Sequence, residues 1–244
     1  MKILISSDGP HAHYYIRMSW AKVFKAMGHD VVLWEKDQKP VFDAFDEFEP
    51  DLFMGQTYHI NEALIKCIKQ RPHMKVVMRA SDWGDMQKEI DLEKYPILVA
   101  QDKEKWLMEK LKMETGRPDF VHNHYTQNWM DVTHNKWKEI GIKPISLIHG
   151  ADIFDFYLRP PVNELKCDIG FVGGYWPYKA INLDKYIVNL CHPVGDYNIK
   201  IFGTSHWPVT QYLGAISSDN IGGLFSTATI SPNISEPHSQ DFGY

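Results

Sequence analysis

Two glycines and a lysine mark the stretch of the sequence that is best suited to hold a phosphate. The segment 171–179 reads FVGGYWPYK, in which an apolar run stops at Gly173 and Gly174 and Lys179 follows shortly after. Glycine lets the backbone approach a ligand closely, and lysine places a point charge on phosphate oxygens. A helix that begins near Pro177 would add free N–H groups. The pattern predicts a phosphate-binding turn, and an ordinary strand-to-helix turn with a solvent-exposed lysine is the alternative.

A second set of polar residues follows the predicted strands of the first part of the chain. In a parallel sheet the carboxyl ends of the strands share one edge, and ligands bind there. The residues at these positions are Asp8, Gly9, His11, His13, Tyr58, His59, Ser81, Asp82, Asp85, Gln101, His124, Gln127, Asn128, His149 and Asp152. The concentration of polar residues favours a binding site at this edge. For Asp8 and Asp82 a helix-capping role is the alternative.

Two His-x-His pairs suggest a metal site as a competing interpretation. They are HAH at 11–13 and HNH at 122–124, and on a strand such a pair would share one face. Zinc requires three or four ligands, and no feature of the sequence brings the two pairs together. We therefore predict no bound metal, and we keep a metal-dependent hydrolase as an alternative.

The composition indicates a globular protein without affinity for nucleic acid. Of the 244 residues, 44% are hydrophobic and 13% are aromatic, which is enough for a buried core. The formal net charge is −5 and the basic residues are dispersed, whereas duplex-binding proteins carry basic patches. Three widely spaced cysteines predict a reducing, cytoplasmic location. The sequence contains no transmembrane segment, so any membrane contact would be peripheral.

Short apolar runs alternate with segments of helical periodicity, which predicts an α/β fold of parallel sheets with helices on both faces. The predicted strands are 2–6, 30–34, 52–55, 75–79, 97–100, 120–123, 145–149, 169–172 and 199–202. Helices are predicted within 14–30, 61–72, 127–141 and 181–191. The first of them has apolar residues at three- and four-residue spacing and is expected to stop at Gly28.

Pro160 and Pro161 interrupt this alternation and divide the chain. We predict an N-terminal Rossmann-like domain at 1–155, a linker at 156–167 and a C-terminal Rossmann-like domain at 168–244. The last segment is short for a whole doubly wound domain, so we expect the second domain to be incomplete. An incomplete sheet leaves an open edge that a second copy of the chain could cover.

The phosphate-binding turn resembles that of the GT-B glycosyltransferases of the glycogen-synthase-like superfamily, in particular their CgeB-like branch. The family's turn reads Phe-Val-Gly-Arg, two or three variable residues, Pro, a variable residue, Lys and Gly. The matching positions are Phe171, Val172, Gly173, Pro177 and Lys179. Gly174 stands in place of the family's arginine and Ala180 in place of its last glycine. One of two cationic contacts to the donor diphosphate is therefore absent from the motif.

Further segments resemble the same family. ISLIHGADIFDFYLRPP resembles its hinge, with His149 where asparagine is usual and with Gly150 and Asp152 matching. YNIKIFGTSHW resembles the strand and glycine of the donor domain, and YLGAI and LFSTATISPNISE resemble its next strands. The family continues with two donor-binding glutamates. Glu236 and Gln240 are the two candidates for the first of these positions, and the second lies beyond Tyr244. The family's last helices are missing from this sequence.

This resemblance implies glycosyl transfer from a UDP- or GDP-linked sugar to an unknown acceptor, with no other cofactor. Lys179 would stabilise the leaving diphosphate, with Gly173 and Gly174 as a backbone cradle. Asp82 or His124 would be the polar group on the acceptor side, where a base is needed if the enzyme inverts. The substrate-binding residues would be Asp8, Gly9, His11, His149 and Asp152, and the donor-binding residues Gly203, Asn233 and Glu236.

Two further alternatives stay open at the level of the sequence. A binding module could retain the fold without turnover, because Gly174 weakens the donor site. A nucleotide-sugar epimerase shares the same fold, and fold alone does not decide between such functions.

Overall fold

The chain divides into two compact units, Met1–His149 and Gly150–Tyr244. The computed structural model describes residues 1–7, 12–80, 101–148, 150, 152–192, 195–235 and 237. Each unit is built on a parallel β-sheet with helices packed against it. The predicted α/β class with parallel sheets is confirmed. Within the described ranges, no helix has the length and apolar character needed to cross a membrane.

A parallel sheet of six strands in the order β2-β1-β3-β4-β5-β6 forms the first unit. The strands are β1 Lys2–Ser7, β2 Asp30–Glu35, β3 Leu52–Gln56, β4 Lys75–Arg79, β5 Phe120–Asn123 and β6 Lys143–Ser146. The helices are α1 Ala12–Ala26, α2 Val41–Phe48, α3 Glu62–Lys69, α4 Gln101–Thr115, α5 Gln127–Thr133 and α6 Asn135–Glu139. The strand order changes direction between β1 and β3, which is where open α/β sheets form a ligand crevice.

The first sheet is covered on both faces. Ile5 and Met54 share a buried cluster with Ala21 of α1. Leu4 and Phe53 belong to a second cluster, with buried residues of α2, α3, α4 and α6. Because successive strand residues point to opposite faces, this alternation assigns α1 to one side of the sheet and α2, α3, α4 and α6 to the opposite side. Both faces of the sheet are therefore buried, and the predicted polar residues follow the ends of its strands.

In the second unit, β7 Ile169–Val172 and β8 Ile199–Phe202 pair in parallel. The helix α7 Pro177–Leu183 continues through a π-helical turn at Asp184–Val188 into α8 Asn189–Cys191, and α9 is Ser218–Thr227. Single parallel bridges join Ile169 to Ile230 and Ile201 to Tyr212, outside these two strands. The core contains Phe171, Leu183, Ile201 and Trp207, all of them buried.

Residues of the predicted linker are hydrogen-bonded to α9. The N–H of Arg159 donates to Ser226 Oγ at 2.9 Å, and the N–H of Val162 donates to Thr227 Oγ1 at 2.9 Å. Arg159 NH1 also donates to the Asp219 carbonyl at 2.6 Å. The segment around Pro160 and Pro161 is thereby tied to the helix that covers β7.

Four predicted strands have the bounds that the structure gives them: 75–79, 120–123, 169–172 and 199–202. The predicted strand 97–100 lies outside the described residues. The prediction of 145–149 is wrong, because β6 occupies Lys143–Ser146 and pairs with β5 from Phe120–Lys143 to Asn123–Ser146. Pro144 lies inside the strand. An edge strand tolerates proline, since the missing N–H can face away from the neighbouring strand.

Two other predicted elements need correction. The single helix predicted within 127–141 is two helices, α5 and α6, separated by His134, whose φ of −118° and ψ of 24° are not helical. The first part of LFSTATISPNISE lies in α9, and only Ile230 forms a bridge to β7. The similarity of this segment to strands of the family therefore does not predict its helical first part.

The three cysteines are expected to be unreactive in the folded protein. Cys67, Cys167 and Cys191 are buried and reduced, and burial raises the pKa of each thiol, for Cys67 to about 11. A raised pKa keeps the thiol neutral to higher pH, so at pH 8 the thiolate of Cys67 is about a hundredfold rarer than that of an ordinary cysteine. Ellman's reagent at pH 8 should label none of the three in native protein and all three in guanidinium. Fast native labelling would contradict this burial.

Candidate functional site

The carboxyl ends of β7 and β8 meet at a glycine-dependent contact. A Cβ atom on Gly203 would lie 2.2 Å from the carbonyl oxygen of Gly173, so only glycine fits at position 203. The N–H of Gly173 donates to the Phe202 carbonyl at 2.9 Å, and Gly203 N–H donates to the Gly214 carbonyl at 2.9 Å. Two loops separated in sequence are thus brought together after their strands.

Aromatic side chains hydrogen-bond the carbonyl groups of both loops. Trp207 Nε1 donates to the Gly173 carbonyl at 3.0 Å, and its ring lies 5.4 Å from the ring of Phe171. The hydroxyl of Tyr212 donates to the Gly203 carbonyl at 2.9 Å. Both loop carbonyls are therefore held by side-chain donors, which makes the glycine contact rigid and preorganised.

Lys179 lies in the first turn of α7 and reaches back over the glycine turn. Its Nζ is 3.8 Å from the position of a Cβ on Gly173. The side chain is half-buried, and within the described ranges it forms no hydrogen bond or ion pair. An ammonium group at a strand end, beside a glycine turn, is the arrangement expected for a phosphate contact.

Ser205 completes the cluster and has no counterpart in the sequence prediction. Its Oγ lies 3.1 Å from the position of a Cβ on Gly174, so its hydroxyl faces the second glycine of the turn. A hydroxyl is both a donor and an acceptor and suits a phosphate oxygen. The segment FGTSHW contains no recognisable signature at this serine, and only the approach of the two loops reveals it.

The glycine turn offers fewer free backbone N–H groups than the sequence predicts. The Gly173 N–H is already used by Phe202, so Gly173 contributes close approach instead of a donor. No hydrogen bond from the Gly174 N–H occurs among the residues that the structure describes. Gly174 is therefore a backbone donor of the turn that could meet a ligand.

A tyrosine of the turn is held away from this ligand position. The Tyr175 hydroxyl donates to Asp184 Oδ1 at 2.7 Å. This hydrogen bond to a carboxylate raises the pKa of Tyr175, with burial adding to the effect, so the phenol stays neutral. Its ring packs on Trp207 at 5.2 Å. Tyr175 therefore supports the turn and adds no charge to it.

The other predicted donor residues lie apart from the cluster or outside the described residues. Asn233 is exposed and lines a groove of about 490 Å³ with Ile169, Ile187 and Ile234. Within the described part of the unit, no hydrogen bond joins Asn233 to the glycine turn. Glu236 lies outside the described residues.

The predicted acceptor-side residues of the first part of the chain are only partly described. Asp8, Gly9, His11, Asp82 and His149 lie outside the described residues. His124 follows β5 and is half-buried, with its ring 5.0 Å from that of Tyr125. Its N–H donates to Asn123 Oδ1 at 2.8 Å.

Asp152 belongs to the second unit and shapes its own loop. Its Oδ1 accepts from the N–H of Phe154 at 3.0 Å and of Asp155 at 3.3 Å. This is the local turn-forming role of aspartate. A substrate contact by Asp152 stays a prediction.

No group of three or more His, Cys, Asp or Glu side chains that could hold a metal ion occurs within the described ranges. His122 lies in β5 with its ring 5.3 Å from Trp20, whereas His124 lies beyond the strand end. The two histidines of HNH therefore do not both lie in the strand, contrary to the geometry that the metal alternative assumed.

Comparisons with known proteins give structural likeness alone. No family model and no curated protein matches the chain. A glycosyltransferase, SsfS6 of Streptomyces sp. SF2575, matches over 93% of this chain and 74% of its own, with 9% identity and a TM-score of 0.44. The NAD+-bound 3-phosphoglycerate dehydrogenase of Entamoeba histolytica matches over 87% and 57%, with 18% identity and a TM-score of 0.29. A phosphoglycerate oxidoreductase of Rhizobium etli matches over 93% and 91%, with 11% identity and a TM-score of 0.23. All three TM-scores lie below 0.5, so these likenesses do not decide the function.

Proposed function

We propose that this chain transfers a glycosyl group from a nucleotide sugar, linked to UDP or GDP, to an acceptor hydroxyl. The observation that supports the proposal is the convergence of Gly173, Gly174, Lys179 and Ser205 at the ends of β7 and β8. The cluster provides a cation, a hydroxyl, a backbone donor and a close approach of the backbone. These are the features that a diphosphate site requires. The sequence resemblance of this turn to GT-B glycosyltransferases is the second support.

The proposed chemistry depends on charge stabilisation at the leaving group. The bond between the sugar C1 and the diphosphate oxygen breaks, and the acceptor oxygen forms a new bond to C1. The electron pair of the broken bond goes to the diphosphate, where the Lys179 ammonium and the Ser205 hydroxyl would stabilise the developing charge. The acceptor proton goes to a base, for which His124 and Asp82 are the candidates.

Release of nucleoside diphosphate tests this proposal directly. Purified protein is incubated with UDP-linked and with GDP-linked hexoses, with and without a panel of sugar and phenolic acceptors, and free UDP or GDP is measured. We expect release with one of the two nucleotides, and faster release with an acceptor. Binding of nucleoside diphosphate without release would favour the binding module. Absence of both would contradict the proposed site.

A non-catalytic binding module has one specific observation in its favour, the glycine at position 174. The family's arginine is missing there, and among the three described atoms nearest to the Cβ position of each turn glycine, the cationic group is Lys179 Nζ. A single cation stabilises less charge than two. The release assay separates the two functions, because binding alone leaves the donor intact.

Any transfer activity is expected to be independent of divalent metal, because Lys179 supplies the positive charge. Rates measured after dialysis against EDTA should equal those of untreated protein, and elemental analysis should find no stoichiometric metal. Stoichiometric zinc that disappears in the His11→Ala/His13→Ala double variant would contradict the prediction and would favour the hydrolase.

A further inference from the structure

A side chain covers the outer edge of β6, one of the two edge strands of the first sheet. The N–H groups of Lys143 and Leu147 donate to backbone carbonyls on the β5 side, so Pro144 and Ser146 face outward. The Gln127 amide donates to the Pro144 carbonyl at 3.3 Å and accepts from the Ser146 N–H at 3.0 Å. Pro144 has no N–H to offer. Gln127 thus occupies the place that a further strand would take.

The two edges of the second sheet are paired with backbone of the same unit. Outside β8, the Ile201 N–H donates to the Gln211 carbonyl at 3.0 Å, and the Leu213 N–H donates to the Ile201 carbonyl at 2.8 Å. Outside β7, the Gly170 N–H donates to the Ile230 carbonyl at 2.9 Å. Proteins commonly cover strand edges in this way, because an open edge invites pairing with another chain.

The remaining edge strand, β2, presents free backbone groups. On its inner side, the Asp30 N–H donates to the Met1 carbonyl at 3.1 Å, and the Lys36 N–H donates to the Ser7 carbonyl at 3.4 Å. The backbone groups of a strand face one neighbour at every second residue. The groups that face away from β1 therefore belong to the three residues at odd positions, Val31, Leu33 and Glu35. Among the described residues, the hydrogen bonds from other segments to these groups are the two that the Glu35 carbonyl accepts from the N–H groups of residues 38 and 39.

The charges on β2 are complementary to a second β2 in antiparallel orientation. When Leu33 faces its own counterpart, Asp30 of each copy lies opposite Lys36 of the other. Both side chains are exposed, and neither forms an ion pair within the described residues. Antiparallel register changes in steps of two, because opposite residues both face in or both face out. The adjacent registers place Asp30 opposite Trp34 or Gln38. Opposite charges across strands stabilise a pair, so the charges select the register about Leu33.

An apolar groove beside β2 fits the same register. It has a volume of about 300 Å³ and lies between β2 and α2, where Trp34, Ala44 and Phe48 contribute to its lining. Val32 shares this face of the sheet with Trp34 and is 38% exposed. In the register about Leu33, Val32 of each copy lies opposite Trp34 of the other. Pairs of an aromatic and a β-branched residue stabilise adjacent strands.

We propose that two copies of the chain pair through β2, in antiparallel orientation, and join their first sheets. Leu33 donates to and accepts from its counterpart, and the Glu35 N–H of each copy donates to the Val31 carbonyl of the other. Two-fold symmetry makes every contact occur twice, including the ion pair of Asp30 with Lys36. The interface uses residues of the first unit and does not rest on the proposed glycosyl transfer.

Sedimentation velocity of the full chain, followed over a wide range of protein concentration, tests the pairing. We expect a reversible equilibrium between monomer and dimer. Hydrogen exchange locates the interface, because the outward N–H groups of Leu33 and Glu35 become hydrogen-bonded only in the dimer. Peptides that cover β2 should exchange several-fold more slowly at dimer-forming concentration. Peptides that cover β6 should not change, since Gln127 already holds the outward N–H of that strand.

Charge reversal tests the register. Asp30→Lys and Lys36→Asp each place like charges opposite each other at both ends of the interface, and each should weaken dimerisation about tenfold. An equimolar mixture of the two variants should recover the original affinity, because the mixed dimer has opposite charges at both ends. The two residues lie about 20 Å apart within one strand, so this recovery requires two chains. Lys69→Asp, at the exposed end of α3, is the matched control and should dimerise like the unmodified chain.

Four outcomes would overturn the proposal: a monomer at every concentration, a dimer without slower exchange in β2, single variants that dimerise like the unmodified chain, and a mixture that dimerises no better than its components. If one single variant does not fold, the double variant Asp30→Lys/Lys36→Asp replaces the mixture. It restores opposite charges at both ends and should dimerise like the unmodified chain, and a monomeric double variant would refute the register. Failure of nucleotide binding would refute the glycosyltransferase proposal and leave these results unaffected.

Discussion

Gly203→Ala is expected to abolish nucleoside diphosphate binding and to destabilise the second unit by about 3 kcal/mol, at the upper end of overpacking costs. The added Cβ would lie 2.2 Å from the Gly173 carbonyl oxygen. The backbone sets the positions of both the added Cβ and the carbonyl oxygen, so no side-chain rotation relieves the clash. The loop after β8 cannot retreat easily either, because its N–H and carbonyl are held by Gly214 and Tyr212.

Calorimetric titration with UDP and GDP, together with hydrogen exchange over β7 and β8, measures both effects of Gly203→Ala. Gly150→Ala is the matched control, since the same added methyl group meets no atom of the described residues within 4 Å. It should leave both quantities near those of the unmodified chain. Nucleotide affinity that is unchanged in Gly203→Ala would separate the glycine contact from the ligand site and would refute the site as described.

The sequence predicts most of the fold because strands and helices carry local signals. The apolar run at 75–79 and the helical spacing in α1 are decided by residues that are neighbours in the chain. The prediction fails at β6, where Pro144 suggests a strand start but the pairing with β5 decides the register. It also fails at α9, because the similarity of that segment to a strand does not take tertiary packing into account.

The sequence predicts only the part of the candidate site whose residues lie close together in the chain. Gly173, Gly174 and Lys179 lie close in sequence and form a recognisable turn. Ser205 and the contact of Gly203 with Gly173 depend on the pairing of β7 with β8, which no local pattern encodes.

Gln56 and Arg79 show the same limit in the first unit. Both are ordinary polar residues in the sequence, and only their register across the sheet makes them neighbours. Long-range pairing therefore carries the structural information that the sequence analysis missed.

Lys179→Ala should weaken nucleoside diphosphate binding about tenfold to a hundredfold. A hydrogen bond from a charged donor contributes roughly 1.5–3 kcal/mol, and each 1.4 kcal/mol corresponds to a factor of ten in affinity. The Lys179 ammonium is the side-chain cation beside the glycine turn, and its half-buried position limits screening by solvent. Lys185→Ala is the matched control, because Lys185 is exposed farther along the same helical segment and packs over Tyr186. It should leave the affinity unchanged.

Gly174→Arg should act in the opposite direction, because it restores the second cation of the family's turn. The new Cβ would lie 3.1 Å from Ser205 Oγ and 3.8 Å from Trp176 Cδ1, so the serine hydroxyl must shift by a few tenths of an ångström. A hydroxyl can do so by rotating about its χ1 angle, so the added Cβ is accommodated. Titration of both variants with UDP and GDP decides between a phosphate site and a structural turn. If neither nucleotide binds at about millimolar concentration, which corresponds to roughly −4 kcal/mol, to the unmodified chain or to Gly174→Arg, then the turn at Gly173 and Gly174 only connects β7 to α7.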